Sequence, residues 1–264
     1  MTALLRCTAA TRRNNMLPLI QIILPIYSVC CGFGIITAAG VLIPRVKKYG
    51  VKPVHAVQLC FFAVIGMVLG SKILFGLTRI GEIIADFSPA KLIGSFVNGG
   101  FVFYGGLFGA LAAVKLYSAM RKFDSRQLFN MVVPCFLAFH ALGRVGCFLS
   151  GCCYGIEFPF GFEMHTSPGV IRFPVQLAES LCDLLILAAV LIVEKKKGKQ
   201  VDLLRVYMVS YAVCRFLLEF LRGDEIRGRF LCFSTSQWIA LAVLAYYAVR
   251  ALLGLRKKGK VKAL

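Results

Sequence analysis

Long apolar runs, separated by short polar and basic segments, set the pattern of this chain. A helix that crosses a bilayer needs about 20 predominantly apolar residues, and seven stretches have this length. The predicted spans are roughly 17–43, 54–77, 99–119, 128–149, 173–193, 202–221 and 235–255. A short amphipathic segment around 79–95 is expected in the membrane interface. The pattern predicts an all-α integral membrane protein whose residues 1–264 form a single polytopic membrane domain.

The composition agrees with this pattern. Hydrophobic residues make up 59% of the chain and charged residues 16%, whereas soluble domains have about 45–50% and about 25%. The net charge of +19 is typical of proteins that meet either nucleic acid or an anionic lipid surface. Because the basic residues lie in short loops between apolar runs, we interpret them as topology signals and contacts to membrane lipids, and we expect no nucleic-acid partner.

The distribution of basic residues predicts the orientation of the chain. With seven spans, the loops 45–53, 115–127 and 194–201 share one side with the C-terminal tail, and they carry nearly twice as many Lys and Arg residues as the other side. Since cytoplasmic loops carry the excess of basic residues, the C-terminus is predicted in the cytoplasm and the N-terminus outside. The first apolar run is too long for a cleaved signal peptide and is expected to remain as the first helix.

Polar residues gather at the predicted outward ends of the helices, where they are candidates for contacts with a substrate. Ionisable residues inside spans are costly, and by default they mark a site or a buried pair. Tyr104, Gly105 and Gly106 form one group, in which the glycines allow a helix or a lipid chain to approach closely. The tyrosine could equally be an ordinary interfacial aromatic residue. Gln176 and Glu179 form another group on one face of a helix entrance.

The most concentrated group begins at His140 and Arg144, which are four residues apart and share a helix face. An arginine there can hold a phosphate by two parallel hydrogen bonds, or it can extend outward to the interface. Cys147, Cys152 and Cys153 follow. Their spacing is not that of paired zinc-binding units, so a labile disulfide or a structural thiol cluster is favoured. We expect no metal and no other cofactor.

A polar stripe marks the sixth predicted helix. Tyr211, Arg215, Glu219 and Arg222 follow one another at spacings of four, four and three residues and lie on one face of an otherwise apolar helix. A structural ion pair between Arg215 and Glu219 would explain part of the stripe. Three ionisable groups and a phenol that point inward favour a functional site instead.

These residues together resemble the prolipoprotein diacylglyceryl transferase family. The matching segments occur in the family's order over most of residues 100–240. They are Phe103-Tyr-Gly-Gly-Leu107, Gly143-Arg-Val-Gly-Cys-Phe-Leu-Ser-Gly151, Phe173-Pro-Val-Gln-Leu-Ala-Glu179, Tyr211-Ala-Val-Cys-Arg-Phe-Leu-Leu-Glu-Phe-Leu-Arg222 and Ser234-Thr-Ser-Gln-Trp238. The resemblance implies an enzyme of the bacterial cytoplasmic membrane with its site open to the outer face. It would transfer a diacylglyceryl group from phosphatidylglycerol to the lipobox cysteine in the signal peptide of a prolipoprotein and release glycerol phosphate.

The resemblance also implies roles for individual residues. Arg144 corresponds to the essential arginine of the family's signature, and Gly155 to the glycine that closes the signature loop. Tyr211, Arg215 and Glu219 correspond to the tyrosine, arginine and glutamate of the sixth helix. We therefore expect the two arginines to hold the lipid phosphate and to stabilise the leaving glycerol phosphate. The glutamate would fix its neighbouring arginine, and the tyrosine would orient the head group.

Three positions depart from the family pattern. The family has histidine, asparagine and glutamate where this chain has Tyr104, Cys147 and Cys152. The family histidine has been proposed as the base that activates the acceptor thiol, and a tyrosine with a pKa of about 10 is a poor base at neutral pH. We expect Tyr104 to orient the head group instead. His140, one turn before Arg144, is the hypothetical replacement base, although a thiol is nucleophilic enough to make a strong base dispensable.

Three other functions remain open at this point. A diverged relative could transfer a lipid group to a different acceptor. A non-enzymatic transporter or channel would need polar residues along a path that reaches both faces of the membrane. A thiol-redox membrane protein could be built on the three clustered cysteines.

Overall fold

Seven long helices dominate the computed structural model, which describes the backbone of residues 2–78, 80–81, 102–164, 166, 168–223 and 229–262. Within these residues the helices are α1 (Thr2–Tyr49), α2 (Pro53–Thr78), α3 (Phe103–Arg121), α4 (Ser125–Leu149), α5 (Val175–Lys197), α6 (Leu203–Leu218) and α7 (Thr235–Lys262). A 3₁₀ turn, Glu219–Leu221, prolongs α6. Two short antiparallel pairs complete the fold: β1 (Glu157–Glu163) with β2 (Ile171–Arg172), and β3 (Arg229–Phe230) with β4 (Phe233–Ser234).

Six of the described helices contain apolar segments long enough to cross a membrane, and these confirm the predicted all-α membrane class. The segments are Ile26–Tyr49, Pro53–Thr78, Phe103–Arg121, Ser125–Leu149, Val175–Lys197 and Thr235–Gly254. The helix predicted at 202–221 is present, but its α-helical part has only 16 residues, because the backbone tightens into the 3₁₀ turn at Glu219. The predicted interfacial segment around 79–95 lies outside the described residues except for Ile80 and Gly81. The orientation in the membrane stays a prediction.

The chain divides into two compact units, of which residues 43–131 form one. In this unit α2 packs against α3 through glycines that leave almost no space between the backbones. A Cβ atom on Gly109 would lie 2.1 Å from the carbonyl oxygen of Gly66, and one on Gly70 would lie 2.3 Å from that of Gly105. Small residues at a helix interface allow such an approach. The prediction that the glycines after Tyr104 permit the close approach of another helix is therefore confirmed at Gly105.

Residues 1–42 and 132–264 form the other unit. Here α5 packs against α6, and α6 packs against α7. The Ser180 hydroxyl on α5 donates a hydrogen bond of 2.9 Å to the carbonyl oxygen of Ala141 on α4. Tyr27 and Cys30 of α1 lie against Gly146 of α4, where a Cβ atom would be 2.9 Å from the Cβ of Cys30. These contacts bring the polar ends of α4, α5 and α6 together in one unit.

Candidate active site

A single carboxylate, that of Glu179 on α5, lies at the centre of a buried charged cluster. Its Oε2 atom is 3.1 Å from Nε of Arg144 on α4. Its Oε1 atom accepts a hydrogen bond from Nη1 of Arg215 on α6 and another, of 2.9 Å, from Nη1 of Arg222 beyond the 3₁₀ turn. Side chains from three helices and the following turn thus meet at one group.

A second carboxylate completes the cluster. Oε2 of Glu219 lies 2.7 Å from Nη2 of Arg215, one helical turn away. The same guanidinium nitrogen reaches the hydroxyl of Ser236, at the start of α7, at 3.5 Å. All five charged residues are buried, with exposed fractions between 4% for Arg215 and 9% for Arg144. The predicted pair of Arg215 and Glu219 is present, and it belongs to a larger network.

Three guanidinium groups converge in this cluster. Among the described residues, those of Arg144, Arg215 and Arg222 meet the carboxylates of Glu179 and Glu219. Arginine forks match the geometry of a phosphate by paired hydrogen bonds. The cluster is therefore suited to bind an anion such as a phosphodiester.

The backbone around Gly155 holds Arg222 in position. Gly155 forms an isolated antiparallel bridge with Arg222, and the backbone N–H of Gly223 donates to the carbonyl oxygen of Tyr154 at 3.1 Å. A Cβ atom on Gly155 would lie 2.4 Å from the carbonyl oxygen of Phe173. Only glycine fits at such a crossing of backbones. The predicted role of Gly155 as the closing residue of the loop thus has a packing reason.

His140, one turn before Arg144, is paired with an acidic residue that the sequence analysis did not single out. Nδ1 of His140 lies 2.8 Å from Oδ2 of Asp183 on α5, and Asp183 is 1% exposed. The ring of His140 stacks on Phe136, and it lies edge-on to Tyr211 at 5.9 Å between the ring centroids. The carboxylate fixes the orientation of the imidazole and can stabilise its protonated form.

Three thiols form a compact group beside the arginines. The sulfur atoms of Cys147, Cys152 and Cys153 all lie within 4.8 Å of one another, and all three cysteines are free. Cys147 is at the end of α4 and the other two are in the turn that follows. Gly151 and Cys153 have positive φ angles, of 65° and 57°. The left-handed conformation costs about 1–2 kcal/mol for a residue other than glycine, so the rest of the turn must hold Cys153 in it.

Two observations show how this turn is fixed. Nε2 of Gln176 donates a 2.7 Å hydrogen bond to the carbonyl oxygen of Cys152, and the backbone N–H of Cys152 donates to the carbonyl oxygen of Cys147 at 3.1 Å. Hydrogen bonds from the other two thiols, followed by the positive charges of Arg222 and Arg144, lower the pKa of Cys153 far below its ordinary value. The thiol of Cys153 therefore lies within the electrostatic influence of the charged cluster.

The structure brings together most of the predicted site residues. In one unit it gathers the first set: Arg144, Arg215, Glu219, Glu179, His140, Tyr211, Gln176 and Gly155. The other unit contains the remaining predicted residues: Tyr104, Gly105 and Gly106. In that unit Tyr104 stacks with Phe108, and Gly105 packs closely against α2.

Asp183 and Ser236 are the residues that sequence reasoning missed, and Arg222 was placed in the polar stripe without a role of its own. The only signal for Asp183 is an acidic residue four positions after Glu179 inside an apolar helix. Such a residue is costly in a membrane unless it has a partner. Arg222 was visible at the end of the polar stripe, but its approach to Glu179 depends on the 3₁₀ turn that ends α6.

Comparisons with known proteins place these residues in a family context. Residues 15–253 match the family model described as prolipoprotein diacylglyceryl transferase. The phosphatidylglycerol–prolipoprotein diacylglyceryl transferase of Clostridium tetani is 34% identical over 221 residues, which cover 81% of this chain and 87% of that protein. The second such transferase of Clostridium perfringens is 31% identical over 89% of this chain and 94% of its own length. The transferase of Idiomarina loihiensis is 30% identical, with 71% of each chain covered.

Proposed function

Because this chain belongs to the prolipoprotein diacylglyceryl transferase family, we propose that it transfers a diacylglyceryl group from phosphatidylglycerol to the lipobox cysteine of prolipoproteins. The enzyme works as a multi-pass protein of the bacterial cytoplasmic membrane, and its partners are phosphatidylglycerol, prolipoprotein signal peptides and the surrounding membrane lipids. The family match extends over residues 15–253, which supports a single polytopic membrane domain that includes both compact units.

The observation that carries this proposal is the convergence of three guanidinium groups on Glu179. Phosphatidylglycerol carries one negative charge, on the phosphodiester that links its glycerol head group to the diacylglycerol. The guanidinium groups of Arg144, Arg215 and Arg222 are the donors that suit such a phosphodiester. We assign to these arginines the binding of the phosphate and to Glu179 their alignment. Glu219 fixes Arg215 from the other side.

The reaction follows from this placement of charge. The acceptor sulfur, as a thiolate, forms a bond to the glycerol carbon that carries the phosphate ester. The bond between that carbon and the ester oxygen breaks, and its electron pair stays on the oxygen of the departing glycerol phosphate. The negative charge that develops on the leaving group is met by guanidinium groups that are already aligned. Preorganised donors of this kind are usually the largest single contribution to catalysis.

His140 is the base in this proposal, and Asp183 is its positioning residue. The imidazole accepts the proton of the acceptor thiol while the carboxylate of Asp183 stabilises the imidazolium. Tyr211, whose ring lies edge-on to His140, orients the head group by its hydroxyl. Gln176 supports the turn that carries the thiols. Contacts of Tyr104, Gly105 and Gly106 with the lipid stay predictions.

The test is an assay of the purified chain in lipid nanodiscs with phosphatidylglycerol and a synthetic lipobox peptide. The peptide should gain the mass of a diacylglyceryl group while glycerol phosphate is released in equal amount. Arg144→Ala and Arg215→Ala should each reduce transfer by about 10²–10³-fold, as found when one preorganised electrostatic donor is removed. Arg121→Ala, at the exposed end of α3, is the matched control and should retain full activity.

A folded wild-type protein that releases no glycerol phosphate and leaves the lipobox peptide unmodified would overturn the proposed transfer. Full transfer by both arginine variants would overturn the role assigned to the arginines and leave the transfer itself standing. A peptide whose lipobox cysteine is replaced by serine tests the acceptor, and we expect no modification of it. Complementation of a strain depleted of its own transferase extends the same comparison to living cells.

A further inference from the structure

The thiol group of Cys147, Cys152 and Cys153 has the geometry of a metal site. Zinc–sulfur bonds of about 2.3 Å in a tetrahedral site place the sulfur atoms about 3.8 Å apart. The three sulfurs already lie within 4.8 Å of one another, so shifts of well under 1 Å for each side chain would close the site. Paired CxxC spacing, on which the sequence argument against zinc relied, is a property of structural four-ligand sites. A catalytic site needs only three protein ligands and an open fourth position.

Positive charge lies beside the thiols. Thiols bind metals as thiolates, and a group of three thiolates needs nearby positive charge. The guanidinium groups of Arg144 and Arg222 act electrostatically on Cys153. The backbone of the turn is fixed by hydrogen bonds to the carbonyl oxygens of Cys152 and Cys147. A site whose ligands are held before binding loses little conformational entropy when the metal enters.

The position of the thiols relative to the arginines suggests what such a metal would do. His140, Arg144 and Cys147 are spaced by four and three residues on α4, so they share one face of the helix. Cys152 is exposed, whereas Cys147 and Cys153 are half-buried, which leaves one side of the group accessible. Cys147 therefore shares a helix face with the arginine to which we assign the lipid phosphate.

We propose that Cys147, Cys152 and Cys153 bind one Zn²⁺ as thiolates, and that the open fourth position takes the thiol of the acceptor cysteine. This inference rests on the proposed transferase function. A thiol that coordinates zinc is deprotonated outright, so the nucleophile of the reaction is present as thiolate at neutral pH. The zinc ion would supply the activation for which Tyr104 is poorly suited.

The step balances without any change of oxidation state. The acceptor thiol binds zinc and gives its proton to His140, and from there the proton passes to water. The zinc-bound sulfur then forms the bond to the glycerol carbon of phosphatidylglycerol as the carbon–oxygen bond breaks. The product sulfur is a thioether, which is a much weaker zinc ligand than a thiolate. It therefore leaves the fourth position open for the next acceptor.

The binding part of the proposal is tested on the full-length protein in nanodiscs, without any assay of activity. We expect one zinc ion per chain after dialysis. We also expect that Co²⁺, offered to the metal-free protein, produces the absorption of cobalt–thiolate charge transfer. Cys147→Ser and Cys153→Ser should each remove this absorption, and Cys60→Ser, on α2 in the other unit, should leave it unchanged. The site would be overturned if the variant with all three cysteines replaced by serine bound as much zinc as the unmodified protein. A disulfide among the three cysteines in protein isolated without oxidant would overturn it as well.

The catalytic part is tested by removal and return of zinc. A free thiol is only a few per cent thiolate at pH 7, so we expect a chelator to lower the rate of transfer by at least about tenfold and Zn²⁺ to restore it. Cys147→Ser should reduce the rate by a similar factor. Undiminished transfer by metal-free protein would overturn the zinc proposal and leave the transferase function standing. If zinc binds but the unmodified protein transfers no diacylglyceryl group to the lipobox peptide, the proposed function fails while the metal site stands.

Discussion

Nε of Arg144 lies 3.1 Å from Oε2 of Glu179, although the two residues belong to different helices. The other oxygen of this carboxylate is contacted by Arg215 and Arg222. Glu219 contacts Arg215 from the other side. The arrangement holds three guanidinium groups close together, and such groups are the preferred partners of a phosphate in an anionic lipid head group.

The first prediction concerns Glu179→Gln. The amide keeps the size of the side chain but removes the negative charge that three arginines share. Breaking a buried ion pair by removing one partner costs about 3–5 kcal/mol, so we expect a clear fall in the thermal unfolding temperature. Transfer should fall at least about 100-fold, because the arginines lose their alignment. Unfolding in detergent and the lipobox-peptide assay measure the two effects.

The matched control for this change is Glu157→Gln. Glu157 is exposed at the start of β1, so the same substitution there should alter neither quantity. A Glu179→Gln protein that is as stable and as active as the unmodified chain would show that the buried carboxylate does not organise the site.

The second prediction concerns the pair of His140 and Asp183. His140→Ala should lower kcat by about 10²–10⁴-fold, the range for loss of a general base, while the protein remains folded. Asp183→Asn keeps the imidazole but loses the contact of 2.8 Å that fixes it, so we expect a smaller loss, in kcat rather than in KM. Added imidazole should restore part of the activity of His140→Ala and none of that of Asp183→Asn. Unchanged activity of His140→Ala would reject its role as the base.

The helices and most of the site residues could be predicted from the sequence, and the reasons are physical. Apolar runs that are long enough to span a bilayer are visible without any tertiary information. Charged residues inside those runs, such as Arg144 and Arg215, stand out because their burial is costly. The stripe on α6 likewise placed Glu219 beside Arg215 by helix periodicity alone, and the observed distance of 2.7 Å confirms that pair.

Contacts that depend on tertiary geometry could not be predicted in this way. The sequence offers no means to know that Glu179 would be shared by three arginines, because those residues come from three helices and a turn. The approach of Arg222 requires the backbone to tighten at Glu219, and the gathering of three sulfurs requires a left-handed conformation at Cys153. Periodicity describes one element at a time, and each of these features arises between elements.

The third prediction separates helix packing from chemistry in the segment that follows Phe103. A methyl group on Gly109 would collide with the carbonyl oxygen of Gly66 at 2.1 Å, so α2 and α3 would have to move apart. Overpacking of this kind costs about 1–3 kcal/mol, and we expect Gly109→Ala to lower the unfolding temperature in detergent. Gly76→Ala, at a position of α2 with open space around it, should be neutral or slightly stabilising. Equal stability of the two variants would contradict the close contact.

The last prediction concerns Arg222, which sequence reasoning placed in the polar stripe without assigning it a role. Arg222→Ala removes one of the two guanidinium groups on Oε1 of Glu179 and should reduce transfer by about 10²–10³-fold. Arg222→Lys keeps the charge but lacks the planar fork that binds two phosphate oxygens at once. Its rate of transfer should therefore lie between those of Arg222→Ala and the unmodified enzyme. Glycerol phosphate, the released product, should inhibit Arg222→Ala more weakly than it inhibits the unmodified enzyme.

The control for Arg222 is Arg250→Ala on the exposed side of α7, where Arg250 donates a hydrogen bond to the hydroxyl of Tyr246 and lies over its ring. We expect this variant to keep both its rate and its inhibition by glycerol phosphate. If Arg222→Ala does the same, the anion is held by Arg144 and Arg215 alone. The third guanidinium would then serve only to hold the backbone that crosses at Gly155. A loss of both rate and product inhibition would instead require Arg222 to contact the phosphate, because its packing role alone does not predict weaker binding of a free anion.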